Sequence, residues 1–177
     1  LYSSYRNISN KMNIIGITGT LGAGKVTIVD LLLNEYGFIH YSARNFLVRE
    51  IEKRGLKIDR DSMTSVANEL RRDHTSSYII DELLKEAVSG RENAVIESIR
   101  APKEVDSLKN YNSYLFAVDA DPKIRYERII KRGSETDHVS FETFLQNEER
   151  EMNSTDPNKQ NIKACMDRAY FIFNNEG

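Results

Sequence analysis

Short apolar, β-branched runs alternate with helix-like patterns along the whole chain. That alternation predicts an α/β fold built on a mostly parallel sheet. Residues 13–18 read as a first strand, because Ile14, Ile15 and Ile17 suit burial on both faces. Next, Val29, Leu32, Leu33 and Tyr36 recur at i, i+3, i+4 and i+7, the spacing of one buried helical stripe, which Gly37 ends. Residues 38–41 form a short second strand. Three helices follow with no strand between them: one from about Ser42 to Arg54, one starting near Asp61, and one centred on Leu83. The second carries Met63, Val66, Ala67 and Leu70 on one face; the third carries Ile79, Ile80, Leu83, Leu84, Ala87 and Val88. Residues 93–97 and 114–118 are further strands. Pro122 opens a helix that reaches Arg132, proline being suited to a first turn. A polar stretch over 133–139 leads into a helix capped by Ser140, and residues 170–173 make a last strand.

Two excursions, the helical one between the second and third strands and the polar one after Arg132, are large for plain connections. Ligands of α/β sheets bind at the carboxyl ends of the strands, where such excursions can close over them. The length of 177 residues fits one domain over 12–177. Lys and Arg number 25 against 27 Asp and Glu, a net charge of −2, so no global positive field draws nucleic acid or an acidic membrane. Anion recognition must then come from local placement of cations. The single cysteine, Cys165, excludes an internal disulfide and a multi-cysteine metal site, and reads as a small apolar filler before the last strand. His40, His74 and His138 lack ligand spacing and read as solvent or core residues. No apolar run approaches a membrane span and no signal-peptide pattern stands ahead of the first strand, which predicts a cytoplasmic protein. Residues 1–11, polar and unpatterned ahead of Met12, are expected to be a disordered extension or cloning remnant.

The strongest chemical signal is Gly19-Thr-Leu-Gly22-Ala23-Gly24-Lys25-Val26-Thr27, set between a buried strand and an amphipathic helix. Glycines let the backbone N–H groups converge on phosphate oxygens, and the next helix turns its positive dipole end inward. Lys25 adds a charge that can follow the β- and γ-phosphates. The residue after the lysine, commonly Ser or Thr, is here Val26; the hydroxyl comes at Thr27. Valine keeps its N–H for phosphate, but its branched side chain crowds the place where that hydroxyl would meet Mg²⁺.

Glu97, closing the third strand in Val95-Ile96-Glu97-Ser98-Ile99-Arg100, is a candidate to orient Mg²⁺ or its waters, with Arg100 gripping an acceptor phosphate. Arg125, Arg128 and Arg132 fall at i, i+3 and i+7, turned away from Tyr126 and Ile130. Such a like-charge stripe costs helix stability unless an anion or carboxylates neutralise it, and beside the loop it predicts γ-phosphate contacts. Ser42, Arg49, Arg71 and Arg72 are further acceptor-site candidates, although a C-terminal helix arginine also simply suits the dipole.

With these residues named, the chain resembles the P-loop nucleotide kinases of the adenylate-kinase and dephospho-coenzyme-A-kinase type, and within them a small archaeal and phage kinase-like group also described as AAA-family ATPases. The motifs that carry the resemblance are Ile-Thr-Gly-Thr-Leu-Gly-Ala-Gly-Lys25, Val-Ala-Asn-Glu-Leu-Arg71, Val-Ile-Glu97-Ser-Ile-Arg100 and Asp-Ala-Asp-Pro-Lys-Ile-Arg-Tyr-Glu-Arg128-Ile-Ile-Lys-Arg132-Gly. The resemblance implies a three-layer α/β/α P-loop fold with a five-stranded parallel sheet in order 2-3-1-4-5, a helical acceptor-binding part near 42–88 and a small lid near 133–152. It implies ATP and Mg²⁺ as cofactors, Lys25, Arg100 and Arg132 as catalytic cations, and Thr27 with Glu97 as metal contacts. Arg128 would stack on the adenine, Ser42, Arg71, Glu97 and Arg100 would serve the acceptor, and Arg150 would be a lid arginine. The chain departs from the pattern at Asn45, where an acidic residue is usual, and at Arg49, which falls one place late. It also stops at Gly177, where relatives add a short helix. Some phage relatives carry a deaminase domain, so a C-terminal or separate deaminase partner is a further implication.

Three functions remain open on the sequence. One is an ATP-dependent kinase acting on nucleoside or deoxynucleoside monophosphates. Another is dephospho-coenzyme A kinase, whose hydroxyl acceptor requires a base that the chain does not offer in the usual place. The third is a nucleotide-dependent assembly factor with little turnover, which Val26 favours.

Overall fold

A computed structural model describes residues 12–133, 139–156 and 160–177. The five strands β1 (Ile14–Gly19), β2 (Ile39–Ser42), β3 (Ala94–Glu97), β4 (Ser113–Asp119) and β5 (Phe171–Asn174) form one parallel sheet in the order β2-β3-β1-β4-β5. This is the α/β fold and the strand order that the motifs implied. β1 lies at the centre and is buried along its whole length, as its unbroken apolar run requires. Its side chains divide by alternation: Ile15 and Ile17 pack under helix α1 (Lys25–Tyr36), while Ile14 faces the larger helical layer. Gly16 also faces that layer, and a Cβ there would come within 2.6 Å of Leu108.

The larger layer contains α4 (Tyr78–Gly90), α5 (Pro102–Leu108) and α8 (Ile162–Met166), with α2 (Ala43–Lys53) and α3 (Arg60–Asp73) packed outside α4. α2 is capped by Ser42 Oγ, which accepts from the Asn45 N–H, and α3 by the Asp59 carboxylate, which accepts from the Ser62 N–H. Cys165 is buried in α8, and burial pushes its thiol up to about 12, which keeps it inert. At the open end of the sheet, α6 (Pro122–Arg132) packs against α7 (Phe141–Met152). No helix among the described residues is long and apolar enough to cross a membrane.

Several expectations need correction. α5 and α8 escape detection in the sequence because helices of 7 and 5 residues are too short to show a helical period. The stripe on α1 is narrower than predicted: Val29 and Leu32 are buried, whereas Tyr36 is 65% exposed. On α6 the inward face is Arg125 with Ile129, and Ile130 lies outside, so the predicted arginine stripe does not face one way. The extension over 1–11, the stretch 134–138 of the predicted lid, and His138 lie outside the described residues.

Gly19, the last residue of β1, sits at φ 126°, and a Cβ there would fall 2.0 Å from the Val118 carbonyl oxygen. Both the conformation and the backbone contact exclude a side chain. Gly19→Ala is therefore expected to lower stability by about 2–4 kcal/mol, read as a shifted urea midpoint with an unchanged slope.

Candidate functional site

β1 delivers the chain into a loop at Thr20–Gly24 that turns on Gly22 (φ 80°) and Gly24 (φ 89°) before α1 begins. Only glycine adopts that sequence of positive φ angles cheaply. Thr20 is buried and donates its hydroxyl to Asp119 at 2.6 Å, while the Ala23 N–H reaches the Thr20 carbonyl at 3.4 Å. α1 has no acidic residue in its first turn and no side-chain cap, so its leading N–H groups and positive dipole end meet no competing carboxylate from the helix itself. Lys25 bends back across the loop, donating to the carbonyls of Gly19 at 3.0 Å and Thr20 at 2.6 Å. Burial of its ammonium, aided by the nearby Arg100 charge, lowers its pKa to about 8. A strand-to-helix loop with these features fits a polyphosphate. Val26 is 61% exposed on the first turn of α1 and offers a cation no polar atom; Thr27, also exposed, does.

Glu97 closes β3 opposite Ile17 of β1, which sets its carboxylate beside the loop. His40 Nε2 lies 3.4 Å from Glu97 Oε1, an ion-pair distance without hydrogen-bond geometry, and the Ser42 hydroxyl donates to the same oxygen at 3.4 Å. The imidazole beside it, with Ser42 and Lys25, holds the Glu97 carboxyl below the usual range, so it is an anion at neutral pH. His40 thus belongs to the site, which its isolation in the sequence concealed. Among the described residues no group of three or more His, Cys, Asp or Glu is placed to hold a metal by itself. Glu97 and Thr27 fit the usual manner of Mg²⁺, which takes one or two protein oxygens and completes its shell from phosphates and water.

After Glu97 the strand is interrupted at Ser98, a non-glycine residue at φ 68°. The Ile99 N–H then bonds the Ile17 carbonyl at 3.1 Å, and Arg100 emerges on the cleft side. Glu104, only 3% exposed, accepts from the N–H groups of Arg100 at 2.7 Å and Ala101 at 3.1 Å. Burial pushes its carboxyl up, opposed by those two donors and by the charges on Arg71 and Arg100. Glu104 was not among the candidates drawn from the sequence, although a proline at the first turn and a glutamate two residues on form a recognisable helix-start signal. Arg100 also reaches Gln160 at 3.2 Å and Glu151 at 3.6 Å.

Two cavities meet at α7. One, of about 280 Å³, is bordered by Thr20 and Leu21 of the loop, Arg132 of α6, and Glu148, Arg150 and Glu151 of α7. The other, of about 250 Å³, is lined by Asn68, Arg71, Ser76, Arg100, Glu104, Arg150, Glu151 and Gln160. The two cavities gather Arg71, Arg100, Arg132 and Arg150, and Lys25 lies near enough to Arg100, Glu97 and Glu151 to feel their charges. Other candidates lie elsewhere. Arg49 pairs with Glu86 at 2.6 Å and Arg72 with its neighbour Asp73 at 2.8 Å, both on exposed surface. Arg125, 3% exposed, is held by Glu148 and is not open to a phosphate. Arg128 borders neither cavity, and its Nη1 is buried without a hydrogen-bond partner.

Because the free Lys25 ammonium titrates near 8, it is cationic below that pH and neutral above it. Triphosphate affinity is expected to fall about tenfold between pH 7 and pH 9, as the cation is lost. Calorimetry at three pH values reads this directly; Lys25→Arg, whose charge persists, is expected to give a flat profile.

A family model described as an AAA domain matches residues 15–154. The chain is 31% identical to a UPF0200 protein of Pyrobaculum aerophilum over 167 residues, covering 93% of this chain and 88% of the relative. Among solved structures it is similar to TT1252 from Thermus thermophilus, with TM-score 0.62, 22% identity, and 94% of this chain and 90% of that one covered. It is also similar to shikimate kinase from Bacteroides thetaiotaomicron, with TM-score 0.58, 15% identity, and 93% and 87% covered. At these identities the structural likeness establishes a P-loop kinase-like fold, and the P-loop domain implies nucleotide binding. The chain belongs to the AAA-domain family of P-loop proteins and to the UPF0200 family.

Proposed function

We propose that this protein is an ATP-dependent phosphotransferase that moves the γ-phosphoryl group to a nucleoside or deoxynucleoside monophosphate. The observation that carries the reading is the pair of cavities sharing Arg150 and Glu151, one bordered by the phosphate loop and the other by Arg71, Arg100 and Arg150. Clustered arginines beside a site for a transferable phosphoryl group suit an acceptor that is itself a phosphate. In the transfer, an acceptor phosphate oxygen forms a bond to the γ-phosphorus while the bond to the β,γ-bridging oxygen breaks, and ADP leaves. Lys25, Arg100 and Arg132 would stabilise the charge that shifts onto the bridging and equatorial oxygens. Mg²⁺, contacting Glu97 and Thr27 among phosphate and water oxygens, would supply further neutralisation. Holding donor and acceptor in line is the rest of the catalysis.

A phosphate acceptor is already anionic and needs no protein base. A hydroxyl acceptor, as in the dephospho-coenzyme A reading, needs one, and Asn45 stands where an acidic residue is usual, which disfavours that reading.

Release of ADP across a panel of nucleoside monophosphates, with dephospho-coenzyme A included, tests the proposal. Turnover dependent on one or more monophosphates is the expected result. ATP binding without acceptor-dependent turnover would leave an assembly factor instead. Lys25→Ala is expected to cut turnover at least about 100-fold with the fold intact. Arg71→Ala is expected to raise the acceptor KM about 10- to 100-fold and to leave the ATP KM within about twofold.

A further inference from the structure

A loop that collects phosphate on its N–H groups has to send the carbonyls of those same peptides the other way. In a planar trans peptide the C=O and N–H point in opposite directions, so fixing one aims the other. Glycine does not settle the choice: Gly22 and Gly24 both sit at positive φ, and with no Cβ either peptide can turn over at little cost. Two side chains from outside the loop take up the outward carbonyls. Arg125 Nη1, from the first turn of α6, donates to the Leu21 carbonyl at 3.2 Å. Asn175 Nδ2, from the residue after β5, donates to the Ala23 carbonyl at 2.9 Å. We propose that Arg125 and Asn175 are positioning residues that clamp the peptides 21–22 and 23–24, so that the Gly22 and Gly24 N–H groups face the space a polyphosphate fills.

Arg125 is held through its side chain, and Asn175 through its backbone. Arg125 Nε donates to the Ala120 carbonyl at 2.8 Å, and its Nη2 donates to Glu148 at 3.1 Å. Its guanidinium also stands over the Phe144 ring at 5.5 Å from the centroid. The Asn175 N–H bonds the Asp119 carbonyl at 2.8 Å, which continues the β4–β5 ladder one residue further. The seating is close. A Cβ on Gly22 would fall 2.6 Å from the Arg125 carbonyl oxygen, and one on Gly24 would fall 2.4 Å from Asn175 Nδ2. Gly22 is thus required by a backbone neighbour as well as by its φ angle, and a side chain at Gly24 would displace the Asn175 amide. Since Glu148 belongs to α7, the Arg125 clamp also ties the helix bordering both cavities to the orientation of one loop peptide.

The proposal rests on the loop's binding a triphosphate, and the experiment separates the two ideas. Inorganic tripolyphosphate and ATP are titrated calorimetrically into the wild type, Asn175→Leu and Arg125→Lys, with thermal melts run alongside. Asn175→Leu keeps the branched shape and removes the donor; Arg125→Lys keeps the charge and removes the fork. For Asn175→Leu, both ligands are expected to bind about tenfold more weakly while the acceptor KM stays within about twofold. Tripolyphosphate has no base, so a parallel loss for both ligands identifies the cradle and not a contact to the nucleoside. Wild-type affinity in a folded Asn175→Leu would overturn the clamp and leave the triphosphate reading standing. Failure of the wild type to bind either ligand would overturn both. Should Arg125→Lys not fold, the Asn175 variant alone decides.

Discussion

The site depends on one requirement: the loop between β1 and α1 must keep its N–H groups for an anion and still satisfy its carbonyls within the protein. In this chain almost every carbonyl of that loop is accounted for. Those of Gly19 and Thr20 take the Lys25 ammonium, Leu21 takes Arg125, Ala23 takes Asn175, and Gly24 takes the Thr27 N–H at the helix start. The sheet makes this possible because β4 and β5 end level with the loop and their next residues fall against it. A buried backbone carbonyl without a donor costs free energy. Order in the loop is thus inherited from strands remote in the sequence.

That inheritance explains what could be read in advance. The parallel sheet was legible because central strands buried on both faces show up as apolar runs such as Ile14–Ile17, while the strand order came only from the family resemblance carried by the motifs. The cradle was legible from spacing alone, since Gly19, Gly22, Gly24 and Lys25 lie within one short motif. The clamps were not. Arg125 finds its partners in Leu21 and Glu148, 104 and 23 residues away, and Asn175 finds Ala23 across 152 residues. A periodic stripe says which residues share a helix face but not which face turns inward. Spacing therefore groups the arginines of α6 together, although Arg125 is core. His40 posed the same difficulty: nothing local marks a histidine whose neighbour comes from the adjacent strand.

The cleft divides its charges by depth. Glu104 and Arg125 are buried and tied to backbone groups, so they set geometry. Arg71, Arg100, Arg132 and Arg150 line open space, where an anion can meet them. Buried charge of the first kind gains little stability over an apolar replacement, but it admits few arrangements, which suits a site where small displacements matter.

Cys165, sealed in α8 with its thiol pushed to about 12, leaves the surface of this protein chemically silent toward maleimides and related reagents. A cysteine introduced at an exposed position would then be the single labelling point on the native chain. Pairs of spectroscopic probes placed on α7 and near the loop would report the separation of those two elements with no background from the natural sulfur.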